Sequence, residues 1–252
     1  MSPSDFKDHF SSHSEQYKRF RPSYPPELFE FLARLCPSRN TAWDCATGSG
    51  QAAHHLAKLF DQVYATDASA EQVRQSLPHE KIIFSVMRAE SPDFDPNSID
   101  LITVAQSLHW FERTKFYQAA HRVLRKGGIL AVWSYNLLSV EPQIDSVLQH
   151  FYTEVVGEYW PPERKFVEQG FPAMPETFKS YQAPPFSMQT RWHLEDLLGY
   201  VGTWSACKYY QDDTGNNPVD ILADELQGLW SDPLDNKLVN WPLRLMIGKK
   251  VG

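Results

Sequence analysis

The stretch Thr41-Ala-Trp-Asp-Cys-Ala-Thr-Gly-Ser-Gly-Gln51 constrains this chain more than any other. An apolar strand running to Asp44 breaks into a turn that holds Gly48 and Gly50, and a helical pattern of Ala52, His55, Leu56, Leu59 and Phe60 begins at once. Glycine lets backbone pass close to a bound molecule where a Cβ would collide, and the first turn of the new helix offers unpaired N–H groups to it. This is the layout of a ligand-binding turn, with Asp44 placing a fixed negative charge beside it; the alternative is a glycine turn that serves the fold alone.

Charge separates the two ligand classes that use such turns. Gly48-Ser-Gly50-Gln-Ala-Ala53 satisfies the dinucleotide fingerprint G-x-G-x-x-G/A. A dinucleotide, however, sets two phosphates over the helix start, where a carboxylate at Asp44 repels them. S-adenosylmethionine carries a sulfonium and an ammonium group and no phosphate, so the same carboxylate attracts it. The stretch also resembles motif I of the class I S-adenosylmethionine-dependent methyltransferases, in which an acidic residue stands shortly before G-x-G. Here Thr47 lies next to the first glycine, and Ala46 stands where many members have glycine. The resemblance implies that Asp44, Thr47, Gly48, Ser49, Gly50 and Gln51 border S-adenosylmethionine, with S-adenosylhomocysteine as the product.

Further along the chain the same architecture continues. Gln62 to Thr66 reads as a second strand ending at Asp67, where an acidic residue accepts hydrogen bonds from ribose hydroxyls, with Ala68 beside it. Both ligand readings want an acid there. Ser69 and Gln72 form a capping box for the next helix. Lys81 to Val86 is a third strand, and the family resemblance places Ala89 and Glu90 against the adenine. Ile99 to Ala105 is a fourth strand, largely apolar as suits burial on both faces. Beyond it Ala105, Gln106, His109 and Trp110 stand where ligands sit in such sheets, at the carboxyl ends of the strands. An aromatic at Trp110 suits stacking on adenine or contact with a sulfonium; packing at a strand end is the other reading of His109 and Trp110. The Asn/Asp-Pro-Pro-aromatic signature of enzymes that methylate base amino groups is not found there. Thr114 to Leu124 is an amphipathic helix ended by Lys126 and Gly127, and Ile129 to Ser134 a fifth strand.

The two ends of the chain are less regular. Tyr17-Lys-Arg19-Phe-Arg21-Pro-Ser-Tyr24-Pro25 joins aromatic and cationic residues to prolines. It is similar to the Tyr…Arg-Pro-x-Tyr-Pro segment of trans-aconitate methyltransferase-like proteins, a likeness that makes Tyr17 and Arg21 candidates to meet the methionine end of the cofactor. Alternatively Tyr17, Phe20 and Tyr24 staple the arm to the core. Pro25 and Pro26 open a helix with Leu28, Phe31, Leu32 and Leu35 on one face, stopped by Pro37. From Asn136 prolines and aromatics become dense, with helices read over 143–156, 194–209 and 218–230 and a closing strand at Leu243–Ile247. Arg19, Arg21, Arg164 and Lys208 are candidate anchors for an anionic substrate.

The expected fold is therefore α/β: a doubly wound, mostly parallel seven-stranded sheet of Rossmann-like methyltransferase type, with an inserted helical and aromatic cap. The resemblance adds that the last strand is antiparallel. Residues 1–40 are read as an arm and helix closing over the cofactor, 41–135 as the cofactor-binding core, 136–210 as the substrate cap, and 211–252 as a C-terminal helix and closing strand.

Composition limits the partners. A net charge of −7 argues against a broad nucleic-acid footprint. Cys36, Cys45 and Cys207 are odd in number and unpaired in spacing, which suggests neither a disulfide framework nor a metal site and fits a reducing cytoplasm. No run approaches the roughly 18 apolar residues of a membrane span. A small-molecule substrate, handled by a monomer or homodimer, is the expectation. Methyl transfer is an in-line displacement from an activated donor, so positioning and water exclusion do most of the work. A carboxylate acceptor needs no general base, whereas a hydroxyl or amine could use His109 or Tyr135. Two rival functions remain, a nicotinamide-dependent oxidoreductase using NAD(P) and a non-catalytic binding protein on the same fold.

Overall fold

The computed structural model describes residues 22–162, 164 and 173–251, and they divide into two compact units. Tyr17, Arg19 and Arg21 lie outside the described residues. The larger unit comprises Tyr24–Tyr135, Lys165–Ser187 and Leu243–Gly252. It opens with helix α1 (Pro26–Leu35), whose Pro26 sits in the first turn, where a missing N–H costs nothing. The buried face of α1 is Leu28, Phe29, Leu32 and Ala33, one step round from the face the sequence pattern suggests. The displaced Phe31 packs instead on Phe186, 5.7 Å between ring centres.

Strands and helices then alternate: β1 (Thr41–Cys45), α2 (Gln51–Leu56), β2 (Gln62–Asp67), α3 (Ala70–Arg74), β3 (Ile82–Val86), β4 (Ile99–Ala105), α4 (Arg113–Val123) and β5 (Leu124–Tyr135). The unit closes with β6 (Phe178–Tyr181) and the later part of a long last strand, β8 (Lys237–Lys250). The sheet order is β3-β2-β1-β4-β5-β8-β6. β1 to β5 are mutually parallel, and β8 runs antiparallel to both β5 and β6. The antiparallel last strand is thus as expected. β7 (Ser187–Trp192), which pairs with β8, makes eight strands where the sequence suggests seven.

The chain order reverses between β1 and β4, and a crevice at the carboxyl ends of the strands opens at such a point. Burial explains the central strands. β1, β4 and β5 are enclosed almost throughout, and Trp43, Ile102, Val104, Leu130, Val132, Phe116 and Ala120 share one apolar cluster between sheet and helix α4. Trp43 satisfies its indole N–H by donating to Thr66 Oγ1 at 2.8 Å, so a large aromatic is buried without an orphaned donor. At the amino ends of the strands, wholly buried Asp100 accepts from Ser38 Oγ and from the backbone N–H groups of Asn40 and Thr41 at 2.6–3.0 Å, and pairs with Arg125 at 3.6 Å.

The second unit comprises Met1–Ser23, Asn136–Arg164 and Met188–Pro242. Helix α5 (Pro142–His150) widens into a π turn over Phe151–Val155, where the sequence reads a uniform helix. The single helix expected over 194–209 is two, α6 (Leu194–Gly202) and α7 (Ser205–Thr214), because Trp204 takes an extended conformation between them. Helix α8 (Pro218–Gln227) is capped by Asn217, whose side chain accepts from the N–H of Val219. Trp192, Tyr200 and Trp241 form the buried aromatic core, and the indole of Trp241 donates to the Tyr200 hydroxyl at 3.2 Å. No described helix is long and apolar enough to cross a membrane.

Candidate active site

The carboxyl ends of β1, β2 and β4, all in the larger unit, bring the sequence-predicted residues into two linked groups. In the first, Asp44 is almost wholly buried and accepts from Thr103 Oγ1 at 2.7 Å and from the Thr47 hydroxyl. Thr103 was not anticipated; the signal for it is the one hydroxyl residue in a largely apolar strand. Burial raises the Asp44 carboxyl to about 6, against the opposing pull of hydrogen bonds from Thr47, Thr103 and the Ala53 backbone, and neighbouring Asp67 pushes it the same way. No cation among the described residues pairs with it. The turn is therefore backed by a buried carboxyl that has no cationic partner among the described residues.

In the second group Asp67 ties the turn shut. Its Oδ2 accepts from the Gly48 N–H and its Oδ1 from the Ser69 N–H, both at 2.9 Å, while the Thr47 N–H donates to the Thr66 carbonyl at 2.9 Å. An acid at the end of β2 thus shapes the glycine turn, which sequence position alone did not suggest. Ser49 and Ala68 are exposed beside these bonds and Gln51 opens α2.

The two glycines have different reasons to be glycine. Gly50 is at φ +88°, and a Cβ there would lie 2.9 Å from Phe84 Cε1. Gly48 is at φ +56°, and its Cβ would meet nothing closer than Gln72 Oε1 at 3.8 Å. Gly50 answers to internal packing, whereas a Cβ at Gly48 would make only an ordinary contact. Of the four described residues with side chains in left-handed backbone, Ala46 at φ +56° and Gln106 at φ +58° stand at the carboxyl ends of the neighbouring strands β1 and β4, while Asn97 and Ser231 lie elsewhere. Such strain persists only where the surroundings impose it and gathers at functional sites.

The remaining candidates line the β3 and β4 ends. Ala89 is buried. Glu90 accepts from the Glu112 N–H at 3.0 Å and pairs with Arg88 at 3.7 Å, which fastens the loop after β3 to the residue that precedes α4, two beyond the 3-10 turn Leu108–Trp110. On that turn His109 and Trp110 pack at 4.6 Å with their planes tilted by 47°, and Trp110 is 40% exposed. Gln106 donates its backbone N–H to the Trp133 carbonyl at 2.9 Å and its side-chain amide to the Tyr135 carbonyl at 3.2 Å. Ala105 ends β4 next to it. Tyr135 is buried at the end of β5. Tyr24 is buried edge-on to Trp133 at 5.4 Å and to Phe29 at 6.3 Å, which supports the stapling role for this part of the arm segment. Arg164 and Lys208 belong to the second unit.

Known proteins resemble this arrangement in sequence and in fold. Residues 43–132 match the family described as methyltransferase domain. A candidate methyltransferase of Dictyostelium discoideum is 33% identical over 99% of this chain and 97% of its own. The chain belongs to the class I S-adenosylmethionine-dependent methyltransferases. An uncharacterised methyltransferase of Mycobacterium tuberculosis is 34% identical over 79% of this chain and 77% of its own. The solved structure of a candidate type II methyltransferase from Anaeromyxobacter dehalogenans superposes with a TM-score of 0.87 at 38% identity, covering 92% of this chain and 99% of that one. The protein is thus an S-adenosylmethionine-dependent methyltransferase with a Rossmann-like fold, and membership of the family implies S-adenosylmethionine as the donor. An oxidoreductase and a non-catalytic reading lose their ground.

Proposed function

We propose that this methyltransferase binds S-adenosylmethionine at the turn between β1 and α2 and passes its methyl group to an oxygen of a small molecule, a carboxylate or a hydroxyl. The observation that carries the binding site is Asp44, a buried carboxylate with no cationic partner among the described residues, behind a turn whose first glycine would meet only Gln72 Oε1, at 3.8 Å, if it carried a Cβ. Such a turn repels phosphates and favours a cation. In this reading Thr47, Gly48, Ser49, Gly50 and Gln51 carry the methionine end, with Tyr17 and Arg21 of the arm as further candidates. Asp67 and Ala68, at the end of β2, meet the ribose. Ala89, Glu90, Ala105, Gln106, His109 and Trp110 border the adenine and the sulfonium.

When bound, the donor supplies a methyl group on positively charged sulfur, already activated for displacement. What the chain must add is alignment of the acceptor oxygen and exclusion of water. The preference for oxygen rests on the missing Asn/Asp-Pro-Pro-aromatic signature after β4, where Gln106-Ser-Leu-His109 stands instead. A carboxylate reacts as the ion and needs no base; for a hydroxyl, His109 and Tyr135 are the groups to test. The trans-aconitate-like branch suggests acids as a starting point, and residues 1–40 and 136–210 are the proposed closing arm and substrate cap. The protein acts as a monomer or homodimer in the cytoplasm, without nucleic acid or membrane.

The test is transfer of isotope-labelled methyl from S-adenosylmethionine to a panel of small acids, alcohols and amines. The reading expects labelled products from acids that lose methanol in mild alkali, as esters do, or alkali-stable ethers from hydroxyls. Label confined to amines would overturn the oxygen assignment.

A further inference from the structure

The helical unit contains an arginine held by rings in place of carboxylates. Arg164 lies with its guanidinium carbon 4.9 Å from the Trp160 ring centre and 5.7 Å from that of Tyr152, within cation–π range of both. Its Nε–H donates to the Tyr152 hydroxyl at 2.9 Å. The bracket is itself fixed: the Trp160 indole N–H donates to the Tyr152 backbone carbonyl at 3.2 Å, and Trp204 packs on both rings at 5.6 and 5.8 Å. Tyr152 is buried and sits in the π turn, an irregularity that sets its hydroxyl and carbonyl off the regular helical path.

Two features give this arrangement a purpose. In this unit carboxylates outnumber lysines and arginines, yet among the described residues none pairs with Arg164. With Nε engaged by a neutral hydroxyl, the edge formed by the two terminal nitrogens has no partner among the described residues, and that edge matches the two oxygens of a carboxylate. The rings hold the plane still, so little side-chain entropy is lost when an anion binds.

We propose that Arg164, bracketed by Tyr152, Trp160 and Trp204, is a binding site for a small organic carboxylate. Identifying that carboxylate with part of the methyl acceptor rests on the proposed function above; the anion site itself does not.

Calorimetric titration with sodium citrate and, separately, with inorganic phosphate tests the site without turnover or cofactor. Citrate should bind with a Kd of about 1 mM or below and more tightly than phosphate. Arg164→Met should weaken citrate binding by about tenfold or more, and Arg164→Lys, which keeps the charge and loses the fork, by an intermediate factor. Tyr152→Phe, a small change that preserves the ring, should weaken it by a few-fold and guards against misfolding of the Met variant. Citrate binding that is undetectable, unchanged in all three variants, or weaker than that of phosphate would overturn the proposal. Failure of methyl transfer with citrate binding intact would instead count against the proposed acceptor class.

Discussion

Replacing Gly50 by alanine should damage the fold more than the ligand turn, and Gly48→Ala should do the reverse. Both glycines occupy left-handed backbone, at φ +88° and +56°, which costs an ordinary residue about 1–2 kcal/mol. At Gly50 the new methyl also lands 2.9 Å from Cε1 and 3.0 Å from Cζ of Phe84, too close for carbon, and overpacking of this kind costs about 1–3 kcal/mol. Gly50→Ala should therefore lose about 2–5 kcal/mol and Gly48→Ala about 1–2 kcal/mol, read from urea unfolding at fixed pH. Phe84 is only half-buried, so it can be cut back, and in the double variant Gly50→Ala/Phe84→Ala the steric part should be returned as a coupling of about 1–3 kcal/mol. Affinity for S-adenosylhomocysteine should order the other way, with Gly48→Ala weakening it by about tenfold or more beyond any loss of folded protein. Equal stabilities for the two single variants, with no coupling to Phe84, would refute the assignment of one glycine to packing and the other to the ligand.

Three further outcomes follow from the same geometry. The Asp44 carboxyl is raised by burial to about 6, above its ordinary 3.8, so the folded chain keeps a proton that the unfolded chain gives up. That contribution to stability is present below pH 3.8 and lost as pH rises through about 6, a difference of about 3 kcal/mol relative to Asp44→Asn, measured by urea unfolding of both proteins between pH 4 and 7; parallel pH curves would contradict it. Ala46→Gly relieves a left-handed alanine, and after the extra chain entropy of glycine should still gain about 0.5–1 kcal/mol; a lower urea midpoint would show that the position is not strained. Asp100→Ala strips the backbone N–H groups of Asn40 and Thr41 and the Arg125 side chain of their acceptor, and should cost about 3 kcal/mol or more while leaving affinity for S-adenosylhomocysteine per folded molecule unchanged; a parallel loss of affinity would tie this distant end of the sheet to the site.

The parts of the fold that could be read from sequence are those where a single force decides. β4 is apolar at nearly every position because both faces are covered, and the turn after β1 declares itself through Gly48 and Gly50. β6 and β7 escaped notice because exposed polar positions interrupt their patterns, so backbone pairing with β8 holds them more than any apolar period. β8 itself was underestimated: Pro242 falls inside it and reads as an end, yet the strand runs from Lys237 to Lys250. Lys126 and Gly127 look like the close of a helix, whereas they lie within β5 where a register shift admits Gly127 at φ +76°. Within the site, residue types at strand ends pointed to Asp44, Asp67 and Glu90. Their partners Thr103, Gly48 and Glu112 come from other strands and loops, and only tertiary structure joins them.

Calorimetric titration with S-adenosylhomocysteine, with NADH in parallel, bears most directly on the central claim that this turn holds a cationic cofactor. Asp67→Asn provides the control, since it keeps the shape of the side chain while weakening both the ribose contact and the bond to Gly48. The account predicts binding at about micromolar Kd for S-adenosylhomocysteine, none for NADH, and a loss of tenfold or more in the variant. NADH binding with equal or greater affinity, or no binding of either, would contradict it.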